Sequence, residues 1–197
     1  MMLIKFMDQE HNYTGRELRS HFIRTFTGIK DDGIVAFIGR ADVVPRKMVD
    51  LEDRERDDHI ESAKMLHFIG EFFGIGLREM NYRLRLFIED MRYVINHSRD
   101  IGVSPIHRDG DDLYQGNQKL SVAIATISPV SALFHFGVNI DPTGAPVPAV
   151  GLDEITHVGE HEDFSKKIKR LALTGMGMFG EEVYEIEEAI RKVEGVR

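Results

Sequence analysis

The stretch that decides the fold is Gly110 to Asp141, GDDLYQGNQKLSVAIATISPVSALFHFGVNID. Runs rich in Val, Ile, Leu, Phe and Thr are broken only by turn chemistry at Gly116-Asn117 and around Ser128-Pro129, which predicts three consecutive strands. A Gly-Asn pair between two such runs is a two-residue hairpin signal, and a loop that short fixes the register. Counting back from the turn sets Gln115 against Gln118, Tyr114 against Lys119, Leu113 against Leu120 and Asp112 against Ser121.

Because side chains alternate along a strand, this register sorts the hairpin into two faces. Leu113, Leu120, Val122 and Ile124 form an expected core face; Asp112, Tyr114, Lys119, Ser121, Ala123 and Ala125 form the other. The next strand divides into apolar Phe134, Phe136, Val138 and Ile140, and His135, Gly137 and Asn139. If the loop at Ser128-Pro129-Val130 is odd in length, the two polar faces coincide. An ordinary half-exposed antiparallel sheet would also turn polar residues outward, yet such a face carries Lys, Glu and Thr throughout. Here one cation stands beside a carboxylate among two alanines and a glycine, which leaves room for a ligand.

These residues carry a resemblance. Asp112-Leu113, the turn, Lys119-Leu120 and then Gly137-Val138-Asn139-Ile140 follow, in order and spacing, a pattern similar to the catalytic core of the biotin and lipoate protein ligases, which share the class II aminoacyl-tRNA synthetase fold. Asn81 to Val103, NYRLRLFIEDMRYVINHSRDIGV, resembles the lipoate ligase helix that leads into that hairpin. The resemblance implies that Lys119 contacts an acid's carboxylate and an adenylate phosphate, with ATP and Mg as cofactors. It also implies that Ile34 to Ile38 leads into a Gly/Arg-rich loop gripping acid and phosphate, of which only Gly39-Arg40-Ala41-Asp42 is present. Over its whole length the chain is similar to a prokaryotic domain-of-unknown-function family, number 366.

A chain of 197 residues with 42% hydrophobic and 29% charged content is expected to make one domain spanning 1–197, with a C-terminal helical segment over 160–197 packed on it. The opening MMLIKFM is cut off by Asp8, too short for a secretory segment, and no apolar run approaches a membrane span, so a cytoplasmic protein is expected. With no cysteines, thiolate metal sites and thiol nucleophiles are excluded, which also disfavours the octanoyltransferase branch of the superfamily. A net charge of −8 argues against a general nucleic-acid surface, since phosphate binding needs clustered cations. Many charges without Cys or Trp suit a thermostable protein.

Along the chain, Met2 to Met7 reads as a strand. Leu18, Phe22 and Phe26 mark one face of a helix over Gly15 to Phe26, closed by Gly28, and Ile34 to Ile38 is a second strand. Asp50 to Asp58, DLEDRERDD, could hold a divalent ion, but acidic residues also suit the first turn of a helix, which is the reading adopted. A helix is expected from His59 to Phe73 and another from Arg78 to Asn96. After the surface connection PTGAPVPAVG, a short element covers Leu152 to Ile155 and helices cover Phe164 to Leu173 and Glu181 to Val193, separated by the glycines of Gly175 to Gly180. Val183, Ile186, Ile190 and Val193 make an apolar stripe, read first as core-docking and second as a homodimer contact.

Of nine histidines, His157 and His161 lie four apart, but their order is not that of a zincin and Gly159 opposes a helix, so no metal site is expected. Ser121 lacks a base other than Lys119, and Gly175 to Gly180 lacks the Lys-Ser/Thr of a P-loop. The sequence therefore supports an α+β domain whose mainly antiparallel sheet is backed by helices on one face and carries a pocket on the other. In the first functional reading, an enzyme binds a small carboxylic acid or acyl group there. Lys119 neutralises developing charge, Asp112 orients it, Arg40 and Gly39 supply a second cation and its loop, and Tyr114, Ser121, His135 and Asn139 complete the site. In the second, suggested by the short Gly39-Arg40 region, a binding module has kept the pocket and lost adenylation.

Overall fold

The computed structural model describes residues 2–98, 105–155 and 163–196. Five strands form one sheet, and three short ones form a second. In the large sheet β1 (Leu3–Phe6) runs parallel to β2 (Gly33–Val43). All the other pairings, through β3 (Ile60–Phe73), β8 (Ser131–Asp141) and β7 (Ser121–Ile127), are antiparallel. The small sheet joins β4 (His107–Asp109), β5 (Asp112–Gln115) and β6 (Gln118–Lys119).

Helices α3 (Leu77–His97) and α5 (Phe164–Arg191) cover one face of the large sheet. The layer between them is aromatic, with Phe68, Phe72, Phe134 and Phe136 from the sheet meeting Phe87 and Phe179 from the helices, all fully buried. Burial of each such ring contributes about 2–3 kcal/mol. The opposite face is covered on the β2 side by α1 (Phe22–Thr27), where Phe22, Ile23, Phe37 and Ile69 form a second cluster. Elsewhere that face is open to a cavity. The α+β architecture, with a mostly antiparallel sheet backed by helices, is as expected. Among the described residues no helix is long and apolar enough to cross a membrane.

Four element assignments change. Residues 60–73 form the central strand and not a helix: β3 is flanked by β2 and β8 and buried on both faces, so its sequence loses the alternation that marks a half-exposed strand. Gly70 is the local clue, because a Cβ there would lie 2.3 Å from the ring of Phe134. The helix expected from Gly15 is confined to α1, preceded by turns and by His21 in a left-handed conformation (φ 59°). The two C-terminal helices are one: α5 runs unbroken through the glycines, and Gly175 lets α3 approach, since a Cβ would lie 2.1 Å from Met91 Sδ. Along its stripe Val183 packs on the core, whereas Ile186, Ile190 and Val193 stay exposed, so the core-docking reading fails for these three.

The fourth concerns strand parity. The hairpin pairs Tyr114 with Lys119 and Gln115 with Gln118 as expected, around Gly116 at φ 55°. Leu120 then breaks the strand, and the chain leaves the small sheet for the large one. The β7–β8 turn is even, not odd, with Ile127 paired to Ala132 and Ser128 N–H donating to Ser131 C=O at 2.7 Å. Both shifts move side chains by one face, and together they cancel. Lys119, His135 and Asn139 still share the open side, with Val122 and Ile124 between them in place of Ser121.

A cavity over the sheet as candidate functional site

The open face holds a cavity of about 550 Å³. Its floor is the sheet, with Met65 from β3, His135 and Asn139 from β8, and Val122 and Ile124 from β7. Tyr13 and Val43 close the β2 side, residues 145–149 close another, and the acidic segment around α2 (Leu51–Glu55) stands over it.

Lys119 lies at the rim, held from both sides. Its strand pairs with Tyr114, its N–H donates to Pro148 C=O at 2.9 Å, and its C=O accepts from Val150 N–H at 3.1 Å. The amine reaches 2.7 Å from the Asp112 carboxylate, which also lines the cavity. Burial raises the Asp112 pKa above the ordinary carboxylate range, more than Lys119 pulls it down. Asn139 joins this group by its backbone, donating to Leu120 C=O at 2.9 Å.

Tyr13 is placed by a chain segment that pairs with β2 in a parallel bridge at Ala41. Its N–H donates to Arg40 C=O and its C=O accepts from Asp42 N–H, both at 2.9 Å. The close approach of this segment explains Gly39, because a Cβ there would sit 2.0 Å from His11 O. Tyr13 then stacks on His135, ring centroids 3.7 Å apart and 7° from parallel. Beneath it His67 Nε2 meets Gly39 C=O at 3.2 Å, and His67 Nδ1 meets His135 Nε2 at 3.0 Å. A carbonyl only accepts, so His67 carries its proton on Nε2, takes a hydrogen bond at Nδ1 from His135 Nε2–H, and leaves His135 Nδ1 unprotonated. Burial lowers the His67 pKa to about 3 and drives that of His135 well below its ordinary value, so both rings are neutral. Burial also raises the pKa of the Tyr13 phenol, which stays protonated.

The residues named from the sequence divide accordingly. Lys119, Asp112, His135 and Asn139 are brought together at the cavity. Ser121 is fully buried on the far side, its Oγ accepting Leu113 N–H at 2.8 Å, because the break at Leu120 turns it there. Tyr114 lies outside the lining, against His107. Gly39 makes room for the Tyr13 segment, and Arg40 is exposed and paired to Glu61 at 2.6 Å. Sequence reading missed Tyr13, which lines the cavity, and His67, which is fully buried behind His135 outside the lining; each sits where no strand alternation announces it. His157 and His161 lie outside the described residues.

The acidic run caps α2, Asp50 accepting the N–H groups of Glu52 and Asp53. Arg56 is bound to Asp53 and Asp58. Among the described residues no group of three or more His, Asp or Glu side chains is arranged to hold a metal ion. Arg40 and Arg56 are engaged by carboxylates, and Asp50, Asp53, Asp58, Glu61 and Asp111 lie on the cavity wall.

Comparison with known proteins places this geometry. Residues 2–194 match the family model described as Domain of unknown function (DUF366). An uncharacterized protein of Methanocaldococcus jannaschii is 34% identical over 97% of this chain and 84% of its own length. A solved structure described as a protein of unknown function from Pyrococcus horikoshi superposes with a TM-score of 0.85 at 30% identity, covering 100% of both chains. A mutant biotin protein ligase from Aquifex aeolicus in complex with biotin gives a TM-score of 0.58 at 16% identity, over 94% of this chain and 71% of that one. A putative lipoate protein ligase from T. acidophilum with bound lipoic acid gives 0.52 at 10% identity, over 91% and 86%. The chain thus belongs to the DUF366 family, and its fold is that of the biotin and lipoate protein ligases.

Proposed function

We propose that this protein binds a small carboxylic acid or acyl compound in the cavity over the sheet, with Lys119 as the cation that meets its acidic end. The observation that carries the reading is the placement of the Lys119 amine, clamped at the cavity rim beside Asp112 and above a floor of Met65, Val122, Ile124 and neutral aromatic rings. An apolar chain on that floor and a charged end at the amine are what the lining suits. The structural neighbours bound to biotin and to lipoic acid support this class of ligand, though only their fold is shared.

In this reading the protein is a binding module. Asp112 holds the amine until the ligand's carboxylate displaces it, and its raised pKa makes it the partner that takes up a proton. ATP is bound with biotin in one ligase of this fold. Here the acidic wall and the engaged arginines disfavour the same use. ATP–pyrophosphate exchange with biotin, lipoate and octanoate tests the point: binding without exchange supports a module, and exchange abolished by Lys119→Ala makes the protein an adenylating enzyme.

A further inference from the structure

We infer that the deep floor of the cavity, at Tyr13 and His135, takes an uncharged amide-type group of the ligand: one that accepts a hydrogen bond from the Tyr13 hydroxyl and donates one to His135 Nδ1. This deepens the reading of the cavity as a small-molecule site by specifying the end of the ligand remote from a carboxylate.

Both residues are almost wholly buried, at 3% and 1% exposure, and both line the cavity. The tautomer chain from Gly39 C=O through His67 leaves His135 Nδ1 as an acceptor, and no hydrogen bond to it or to the Tyr13 hydroxyl is formed by the described residues. Among the described residues the buried side-chain atom without a partner is Asp90 Oδ2, so neither the Tyr13 hydroxyl nor His135 Nδ1 is sealed off; each reaches the cavity, where a ligand can complete its hydrogen bonding. Parallel stacking at 3.7 Å prevents the two rings from satisfying each other, because a hydroxyl in the plane of one ring cannot reach the in-plane lone pair of the other.

What they offer a ligand is specific. One is a donor and the other an acceptor, on stacked rings, with Met65 and Val43 also in the lining. Burial holds both in their neutral forms, so neither offers an ion its counter-charge. The edge of a primary carboxamide or a lactam carries the matching acceptor and donor, both bonded to one carbon. An ammonium, a carboxylate or an aliphatic end leaves at least one of the two groups unpaired.

Tyr13→Phe isolates the question, because it deletes one oxygen and keeps the stack. Calorimetric titration of 8-amino-8-oxooctanoate, octanoate and 6-aminohexanoate into the intact protein should show the carboxamide binding about tenfold tighter than either of the others. In Tyr13→Phe that preference should fall to about twofold or less, with octanoate unaffected and the melting temperature of the ligand-free protein no lower than wild type. Octanoate binding as tightly as the carboxamide, or a preference that survives Tyr13→Phe, overturns the inference while leaving the carboxylate reading intact. If none of the acids binds, that reading falls and hexanamide, followed by NMR, decides the floor alone: binding lost in Tyr13→Phe supports the inference, and no binding overturns it.

Discussion

The Lys119 amine and the Asp112 carboxylate lie 2.7 Å apart at the cavity rim, yet burial keeps Asp112 above its ordinary pKa despite that partner. A ligand carboxylate arriving at the amine adds a second negative charge and raises Asp112 further. Binding is therefore coupled to proton uptake, and affinity falls as pH rises above the Asp112 pKa. Asp112→Asn should bind a carboxylic acid about five- to tenfold tighter at pH 7 and lose most of this pH dependence. Calorimetry in buffers of different ionisation enthalpy measures the proton directly.

Gly39→Ala should destabilise the protein by about 2–4 kcal/mol, more than an exposed loop glycine would. The added Cβ meets backbone, His11 O at 2.0 Å, and cannot be relieved by a side-chain rotation. Since the same segment carries Tyr13, urea denaturation and ligand binding should both be affected. An unchanged midpoint contradicts the placement of residues 11–13.

The two buried histidines should not titrate in the folded state between pH 8 and 5. Their pKa values are depressed, so the neutral forms are stabilising above the ordinary value of 6.5, and that stability is lost as pH falls below it. The loss approaches about 1.4 kcal/mol per pH unit for each ring. Imidazole NMR signals of His67 and His135 that stay constant across this range would bear this out.

Asp90 on α3 has the opposite sign. Its Oδ2 is buried without a partner, and burial, with Glu182 and Glu89 nearby, raises its pKa from 3.8 to about 6. The protonated form is favoured in the fold, so stability is lost as pH rises from about 4 through 6. Asp90→Asn should melt higher than wild type at pH 7 and not at pH 4, as thermal denaturation at both values would record.

How much of this was legible in the residues depends on burial. The hairpin register followed from Gly116-Asn117 alone, because a two-residue turn leaves no freedom. The partnership of Lys119 with His135 and Asn139 was reached through two parity errors, at Leu120 and at Pro129-Val130, that compensate; alternation counts faces but cannot see a strand changing sheets. β3 was hidden because a strand buried on both sides carries no period. Tyr13 and His67 were hidden for the related reason that their neighbourhood is made by a segment closely approaching a glycine and by a central strand, both of them long-range features of the chain. Helix α3, with one buried stripe and one wet side, was read correctly over nearly its full length.

The central claim is that Lys119 meets the acidic end of a small ligand in the cavity, and titration of octanoate into wild type and Lys119→Met tests it most directly. The account predicts saturable binding to wild type at one site per chain, weakened about tenfold or more in Lys119→Met as the charge-assisted contact is lost. Binding of equal strength in the two proteins, or none to wild type, would contradict it.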